Sequence, residues 1–454
     1  MKAIKATKYT HRFLARFVIE AKTPLAVGSG EKDIITDALV ATDVNGLPYI
    51  PGTAIAGVVR SMLKQKGVNT DDFFGFQNGD KGEGSQIIFT EAKILNSKGD
   101  VMDGMKLDAC SDSLLEHYKA LPIRQHVRIN EKGVTEKAGK FDEQVVFAGT
   151  RFCFELEMVS DGKNYSDFEK VMNQFQSQTF RIGSGTRCGF GEVKVIDILT
   201  ANLNLKDDLQ SYLDKSSNLQ ESSKWTGWKR ETFNSKGTNN WTKYELILHP
   251  EEFFLFGSGF GDDEADMTPV KAKKVDWSSG TGVLKENLVL IPATSVKGAL
   301  AHRVAFHWNK INEFFAGDPR ASVGNENPAV QALFGYENQK DKVQRRGNLI
   351  FSDMIIEPMQ DKILNHVAID RFTGGAIDGA LFSEKTTWGE GKEFVLTIMA
   401  NNDALKGEHI QEALEDAMKD ICKGLLPLGG GVNRGNGVFK GSIKKNGETI
   451  YESK

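Results

Sequence analysis

Between residues 13 and 21 the apolar side chains Phe13, Ala15, Phe17 and Ile19 alternate with more polar neighbours, the period-two pattern of a half-buried strand. Residues 244–249 repeat it in the second half of the chain. Each predicted strand runs into a Gly-Ser-Gly loop, an acidic stretch and a proline-marked turn. After Pro51, Thr53 reads as an N-cap, and Ile55, Val58, Val59, Met62 and Leu63 follow at i, i+3, i+4, i+7 and i+8, one buried helix face. After Pro292, Thr294 precedes Val296, Ala299, Leu300 and Arg303, the same step with a weaker apolar face.

The echoes continue in order. Phe73-Phe-Gly75 with Ile87-Ile-Phe-Thr90 is answered by Leu333-Phe-Gly335 with Leu349-Ile-Phe-Ser-Asp353. A long excursion follows in each half, then a helix, expected at about 167 to 178 and about 408 to 423. Gly183-Ser-Gly-Thr-Arg-Cys-Gly-Phe-Gly191 and Gly429-Gly-Gly-Val-Asn-Arg-Gly-Asn-Gly437 each lead into a last strand, expected over 191–197 and 438–443. His126-Val-Arg-Ile129 and His366-Val-Ala-Ile369 stand about 240 residues apart, as do Pro51-Gly-Thr53 and Pro292-Ala-Thr294. Gly28-Ser-Gly30 and Gly257-Ser-Gly259 keep the order at about 230. One module is built twice, with the strand, helix, strands, helix, strand order of an α+β, ferredoxin-like βαββαβ fold. Expected boundaries are 1–200 for the first module, 201–240 for a connector and 241–454 for the second. Trp225, Trp228 and Trp241 predict a connector that is packed rather than a free tether.

Composition narrows the picture. A chain of 454 residues suits two domains, and 40% hydrophobic with 26% charged residues is the balance of a soluble protein. No apolar run of ~18 residues offers a membrane span. Residues 1–8 are basic but lack the apolar core of a signal peptide, so a cytoplasmic setting is expected. Cys110, Cys153, Cys188 and Cys422 are far apart, with no C-x-x-C pair, and read as reduced structural thiols. A formal charge of −4 argues against coating nucleic acid by bulk attraction, so phosphate contacts must come from local basic loops.

Taken together, several motifs resemble the RAMP (repeat-associated mysterious protein) superfamily, specifically a tandem Cas-seven-type (Csm-three-like) backbone subunit of a type III CRISPR effector complex. In the first half they are Gly28-Ser-Gly30, Asp37-Ala-Leu-Val40 and Leu47-Pro-Tyr-Ile-Pro-Gly-Thr53 through Gly57 and Arg60. In the second they are Ile291-Pro-Ala-Thr-Ser-Val-Lys-Gly298, the Leu-Phe-Gly and Phe-Ser-Asp signals, and His366-Val-Ala-Ile-Asp-Arg-Phe-Thr-Gly-Gly375 running to Phe382 and Glu384. The Gly-rich loops complete the match. The resemblance implies an RRM-like palm in each module, an inserted thumb β-hairpin at about 123–150 and 365–391, and a C-terminal Gly-rich loop. Type III-D is the closer fit to a two-module chain. Implied partners are CRISPR RNA, target single-stranded RNA, neighbouring RAMP backbone subunits, small subunits and the large signature subunit, with no membrane.

The resemblance also assigns roles. Asp37 is the candidate catalytic carboxylate for target-RNA cleavage, and the Gly-Ser-Gly offset carries it to Asp266. Either would hold a hydrated Mg²⁺ or other divalent metal, or orient a ribose 2′-hydroxyl for in-line attack. Asp33, Asp43, Asp262, Asp263 and Glu264 crowd both regions, so ordinary solvated loop acids are the competing reading. In the second loop, Met267-Thr-Pro269 and an extra stretch from 273 to 287 depart from the pattern. On the thumbs, Val127, Ile129, Val367, Ile369 and Phe372 would wedge between bases, and Arg124, Arg128, Lys132, Lys137 and Arg371 would meet phosphates; plain exposed hairpins explain the same alternation. His126 and His366 would stack on a base or assist proton transfer, or simply bond to backbone.

Arg60, Lys297 and His302 look like guide-phosphate contacts on the first helix of each module, Ala56 standing where the second module has its lysine. Gly57 and Gly298 sit inside those helices, where glycine costs ~1 kcal/mol relative to alanine. Tight packing on the sheet or an RNA backbone against the helix would each require them. Gly28, Ser29, Gly30, Thr53, Gly183 and Gly185, with Gly257, Ser258, Gly259, Thr294, Gly430 and Gly431, form backbone cradles, joined by Arg187 and Arg434; permissive turns are the alternative. The loops follow a helix and precede a strand, the reverse of the dinucleotide-binding order. The expected function is guide-RNA binding with metal-dependent endoribonuclease action on the target. The alternatives are a non-catalytic scaffold and a precursor-processing ribonuclease.

Overall fold

The computed structural model describes residues 9–33, 36–106, 111–130, 132–231, 240–315, 317–338 and 343–453; Cys110 and part of the connector lie outside them. Both halves are mixed α and β, with antiparallel strand pairing throughout the sheets. In the first, His11–Ala21 lies between Val193–Asn204 and Arg151–Ser160, and Ile87–Phe89 and Ala92–Ile94 pair with the far side of Arg151–Ser160. In the second, Trp241–Pro250 lies between Phe439–Lys445 and Phe394–Asn401, with Leu349–Phe351 beyond. The spatial order is the same in both halves. Short additions close the edges: Lys229–Arg230 beside the last strand of the first half, Glu448–Glu452 beside that of the second.

Helices Gly52–Gln65 and Tyr165–Gln174 cover one face of the first sheet, and Ala293–Ile311 and Ile410–Cys422 cover the matching face of the second. Phe13, Phe17 and Ile19 from the strand meet Ile55, Val59 and Leu63 from the first helix and Phe168, Val171 and Phe175 from the second. Each fully buried side chain of this kind contributes roughly 1.5–3 kcal/mol. Tyr244, Leu246 and Leu248 meet Val296, Leu300, Ala413 and Leu414 in the same way.

Three local expectations are corrected. Neither Thr53 nor Thr294 is an N-cap: the helices start one residue earlier, at Gly52 and Ala293, after Pro51 and Pro292. His11–Ala21 is not half-buried, because Leu14, Arg16 and Glu20 on its other face are covered as well. The cover is the connector: Tyr212, Trp225 and Trp228 pack on Leu14, Ala201 and Leu203, and Arg16 pairs with Glu155, which also accepts from Ser222. Tight packing does not explain the helix glycines, since a Cβ on Gly57 or Gly298 would meet no atom within 4 Å. Both lie exposed on the helix surface.

The extra stretch of the second half is a hairpin arm, Lys271–Asp276 with Val283–Ile291, and it reaches into the first half. Val275 is buried in the first core, Trp277 Nε1 donates to the Gly149 carbonyl at 2.8 Å, and Arg151 lies over the Trp277 ring. Gly149 accepts this only as glycine: its φ is +81° and a Cβ would sit 2.0 Å from the Val275 oxygen. Among the described residues no helix is long and apolar enough to cross a membrane.

Candidate nucleic-acid interface

Four segments that are distant in sequence meet at one place in each half. The Gly-Ser-Gly loop grips the acidic stretch: Ser29 N donates to Leu39 O at 2.9 Å, and Ser258 N to Thr268 O at 2.8 Å. The acidic stretch in turn runs along the base of a projecting hairpin, with Ala38 bridged to Glu143 and Met267 bridged to Glu384. The hairpins are Ile123–Ile129 with Thr135–Gln144, and Asp361–Ile369 with Ala376–Trp388. They occupy the expected thumb segments with slightly different limits.

The loop aspartates sit at this junction. Asp37 N–H donates to Asp142 Oδ1 at 2.9 Å, and Asp142 N–H donates back to Asp37 Oδ2 at 3.1 Å. Asp266 N–H donates to Ser383 Oγ at 3.1 Å, and Asp266 Oδ2 accepts from the Ser383 N–H at 2.7 Å and from its hydroxyl at 3.0 Å. Both aspartates are exposed. The Ser383 backbone and hydroxyl bonds hold the Asp266 carboxyl below the ordinary aspartate range. Nearby, Lys385 Nζ lies 2.6 Å from both Asp262 and Glu264, which raises the lysine.

Glu384 belongs to the second half's motif without a role in the sequence reading, and its counterpart Glu143 was missed; these two residues tie the junctions together. Glu143 lies 3.1 Å from His126 Nε2 and accepts from Ser184 of the first Gly-rich loop at 3.2 Å. Glu384 lies 3.1 Å from His366 Nε2 and accepts from Arg434 and Asn436 of the second loop. Burial would push Glu384 up, but the Arg434, Asn436 and His366 partners hold it below the ordinary glutamate range. The histidines stack on Phe141 and Phe382, centroids 4.8 and 4.9 Å apart. The signal was available as a repeated Phe-x-Glu on the return strand opposite each histidine.

Gly183 and Gly429 serve the same turn, at φ +90° and +96°, where a Cβ would stand 2.5 Å from Ala26 O and 2.4 Å from Leu255 O. The Gly-rich loops are therefore demanded by backbone geometry, whatever else approaches them. Several basic residues expected on phosphates make contacts within the protein. Arg124 pairs with buried Asp353 of the other half, Arg60 with Asp71 and the Gly75 carbonyl, and Arg128 with Glu136. Lys297 Nζ donates to Cys188 Sγ across the seam between halves at 3.5 Å, while His302 is half-buried and Arg371 exposed.

Arg187 lies over the Trp241 ring, half-buried. Burial, with Arg346 and Arg181 nearby, brings it down to about 9. Its Nε has no hydrogen-bond partner. On the two hairpins Val127, Ile129, Val367 and Ile369 are about half exposed and Phe372 is 99% exposed.

The donor set bears on a metal. Among the described residues no three His, Cys, Asp or Glu side chains converge as a cage. Each aspartate keeps a carboxylate oxygen outside the bonds described above, which suits a divalent cation that retains most of its water.

Residues 18–194 and 278–440 each match the RAMP superfamily. Over 188 residues the chain is 27% identical to CRISPR system Cms endoribonuclease Csm3 of Mycobacterium tuberculosis (strain ATCC 25618 / H37Rv), covering 37% of this chain and 76% of that protein.

Proposed function

The chain belongs to the RAMP superfamily, and on that premise we propose that it is a Csm3-like backbone subunit of a type III CRISPR effector complex, binding CRISPR RNA and cleaving the paired target RNA at two places. The observation that carries this reading is the duplicated junction, with a loop aspartate, a thumb hairpin and a Gly-rich loop brought together twice in one polypeptide. We read each half as a ferredoxin-like palm with an inserted thumb, in keeping with the shared strand order. Guide RNA would lie over the open surface at Gly57 and Gly298, where no side chain stands between a sugar-phosphate backbone and the helix. Arg187, half-buried and with its Nε unpartnered, is suited to a phosphate at the seam.

The thumbs would unstack the target with Val127, Ile129, Val367, Ile369 and Phe372, exposing one phosphodiester beside each aspartate. There Asp37 or Asp266 accepts the proton of a ribose 2′-hydroxyl; the 2′-oxygen attacks the adjacent phosphorus, and the 5′-oxygen leaves and takes a proton from water, giving a 2′,3′-cyclic phosphate and a free 5′-hydroxyl. A divalent metal, where bound, supplies charge neutralisation at the phosphate, and Asp37 and Asp266 are the residues that would hold it. His126 and His366, fixed by Glu143 and Glu384, line the same junction.

Substituting Asp37→Ala and Asp266→Ala, singly and together, in the assembled complex tests the reading. Each single change is expected to remove one product from the ladder by at least a hundredfold while guide RNA still co-purifies. An unchanged ladder would leave a scaffold that binds RNA without cutting it.

A further inference from the structure

We infer that Asp142 and Ser383 are positioning residues, each setting the angle at which its loop aspartate faces the RNA. The inference rests on the reading of Asp37 and Asp266 as the reacting carboxylates. Both positions lie on the return strand of a thumb hairpin, immediately before the glutamate that binds the Gly-rich loop. Each makes a reciprocal clasp. The aspartate's own N–H is accepted by the side chain at 142 or 383, and the N–H of 142 or 383 is accepted by the aspartate's carboxylate.

The two clasps are built from chemically unrelated side chains, a carboxylate in one half and a hydroxyl in the other. What they share is an acceptor at the same place, so the conserved job is the bond to the aspartate's backbone and not a charge. Gln125 Nε2 steadies Asp142 from the opposite strand at 3.3 Å, and Ser383 adds a second donor to Asp266 Oδ2. Flanking bonds hold the loop in register: Gln144 N to Ala38 O at 2.9 Å, Met267 N to Ser383 O at 3.1 Å and Lys385 N to Met267 O at 2.8 Å. With one oxygen of each aspartate consumed by the clasp, the other oxygen is aimed by it. Removing the side chain at 142 or 383 leaves the aspartate's N–H without its acceptor and its carboxylate held by one backbone donor alone, so the loop that carries it can shift, and small misplacements of a reacting group are costly.

The test uses the assembled effector complex with its guide RNA and a labelled target, following each cut under single-turnover conditions and measuring target affinity separately. Asp142→Ala should slow the cut assigned to Asp37 by roughly ten- to a hundredfold. Target affinity and the other cut should stay near the parent values, the second cut serving as the internal check that the variant has folded. Asp142→Asn, which keeps an acceptor and drops the charge, should restore most of the rate. Ser383→Ala should slow only the Asp266 cut, and Ser383→Thr should restore it. An Asp142→Ala complex that cuts at the parent rate while Asp37→Ala does not cut overturns the clasp. So does an Asp142→Asn complex as slow as Asp142→Ala, or a loss confined to target affinity. If Asp37→Ala itself still cuts, the catalytic reading has failed, whatever Asp142 does.

Discussion

The two junctions have one backbone plan and two electrostatic characters. Asp37 stands beside a second carboxylate, Asp142, whereas Asp266 stands beside a hydroxyl, with Lys385 held close by Asp262 and Glu264. The glutamate behind each differs as well. Glu384 is fully buried and takes three partners, while Glu143 is less enclosed and takes a histidine and a serine. Duplication preserved what the chain path requires and left the surrounding charges free to drift. The halves are therefore equivalent in geometry without being equivalent in robustness.

Removing each glutamate is the strongest way to break that equivalence. Glu384→Ala leaves the buried Asn436 amide without its acceptor and exposed Arg434 without its partner, and should cost about 2–3 kcal/mol. Glu143→Ala loses the hydrogen bond from the Ser184 hydroxyl and the His126 contact, and should cost nearer 1–2 kcal/mol. Thermal unfolding of both variants measures the gap; equal losses would mean that the two junctions are energetically the same.

A second contrast concerns what each half contributes to the other. The arm of the second half completes the core of the first through Val275 and Trp277, and the matching loop of the first half is short, running from Asp43 to Asn45 before the chain turns back at Leu47. Trp277→Ala should cost up to about 3 kcal/mol, the low end for a core tryptophan because the ring is only partly buried. The loss should appear in the first half, where the side chain packs, although the residue belongs to the second. Hydrogen exchange resolved by segment checks this: faster exchange confined to the second half would contradict the arm's role in the first core.

The sequence made the repeated core legible because the relevant interactions are local or periodic. Phe13, Phe17 and Ile19 alternate, and Ile55, Val59 and Leu63 recur at helical spacing, so their burial follows from neighbours a few positions away. The offset linking Asp37 to Asp266 also survived, because both loops hang from the same Gly-Ser-Gly turn. What stayed hidden depends on pairings across more than a hundred residues. Nothing near Arg124 announces Asp353, nothing near Lys297 announces Cys188, and the far face of His11–Ala21 reads as polar until the connector covers it. The glycines at 57 and 298 left two readings open, a tight neighbour or room for an approaching backbone, and only three-dimensional packing removes the first, since both face open space.

The smallest contrast lies in the helix layer. Where the second half joins its helices through His307 and Arg303 on Asp420, the first joins them through Lys66 on Gln174 Oε1 at 2.8 Å. Burial would raise Asp420, but its bonds from His307 and Arg303 outweigh burial and hold it below the ordinary aspartate value. A depressed carboxyl contributes stability that is present above its unfolded value and lost as pH falls through the folded one, so this joint weakens as the pH drops below about 4. Partial desolvation lowers Lys66, and the unfolded chain then binds the proton more tightly; that joint gains stability as pH rises toward the ordinary lysine value. The Lys66 effect is the weaker because its side chain is exposed. Segment-resolved hydrogen exchange at mildly acidic, strongly acidic and alkaline pH should show opposite slopes in the two helix pairs, and Asp420→Asn should flatten the acid response of the second pair while leaving the first unchanged. An acid response of Ile410–Cys422 that persists in Asp420→Asn would place the titrating group elsewhere in the second half.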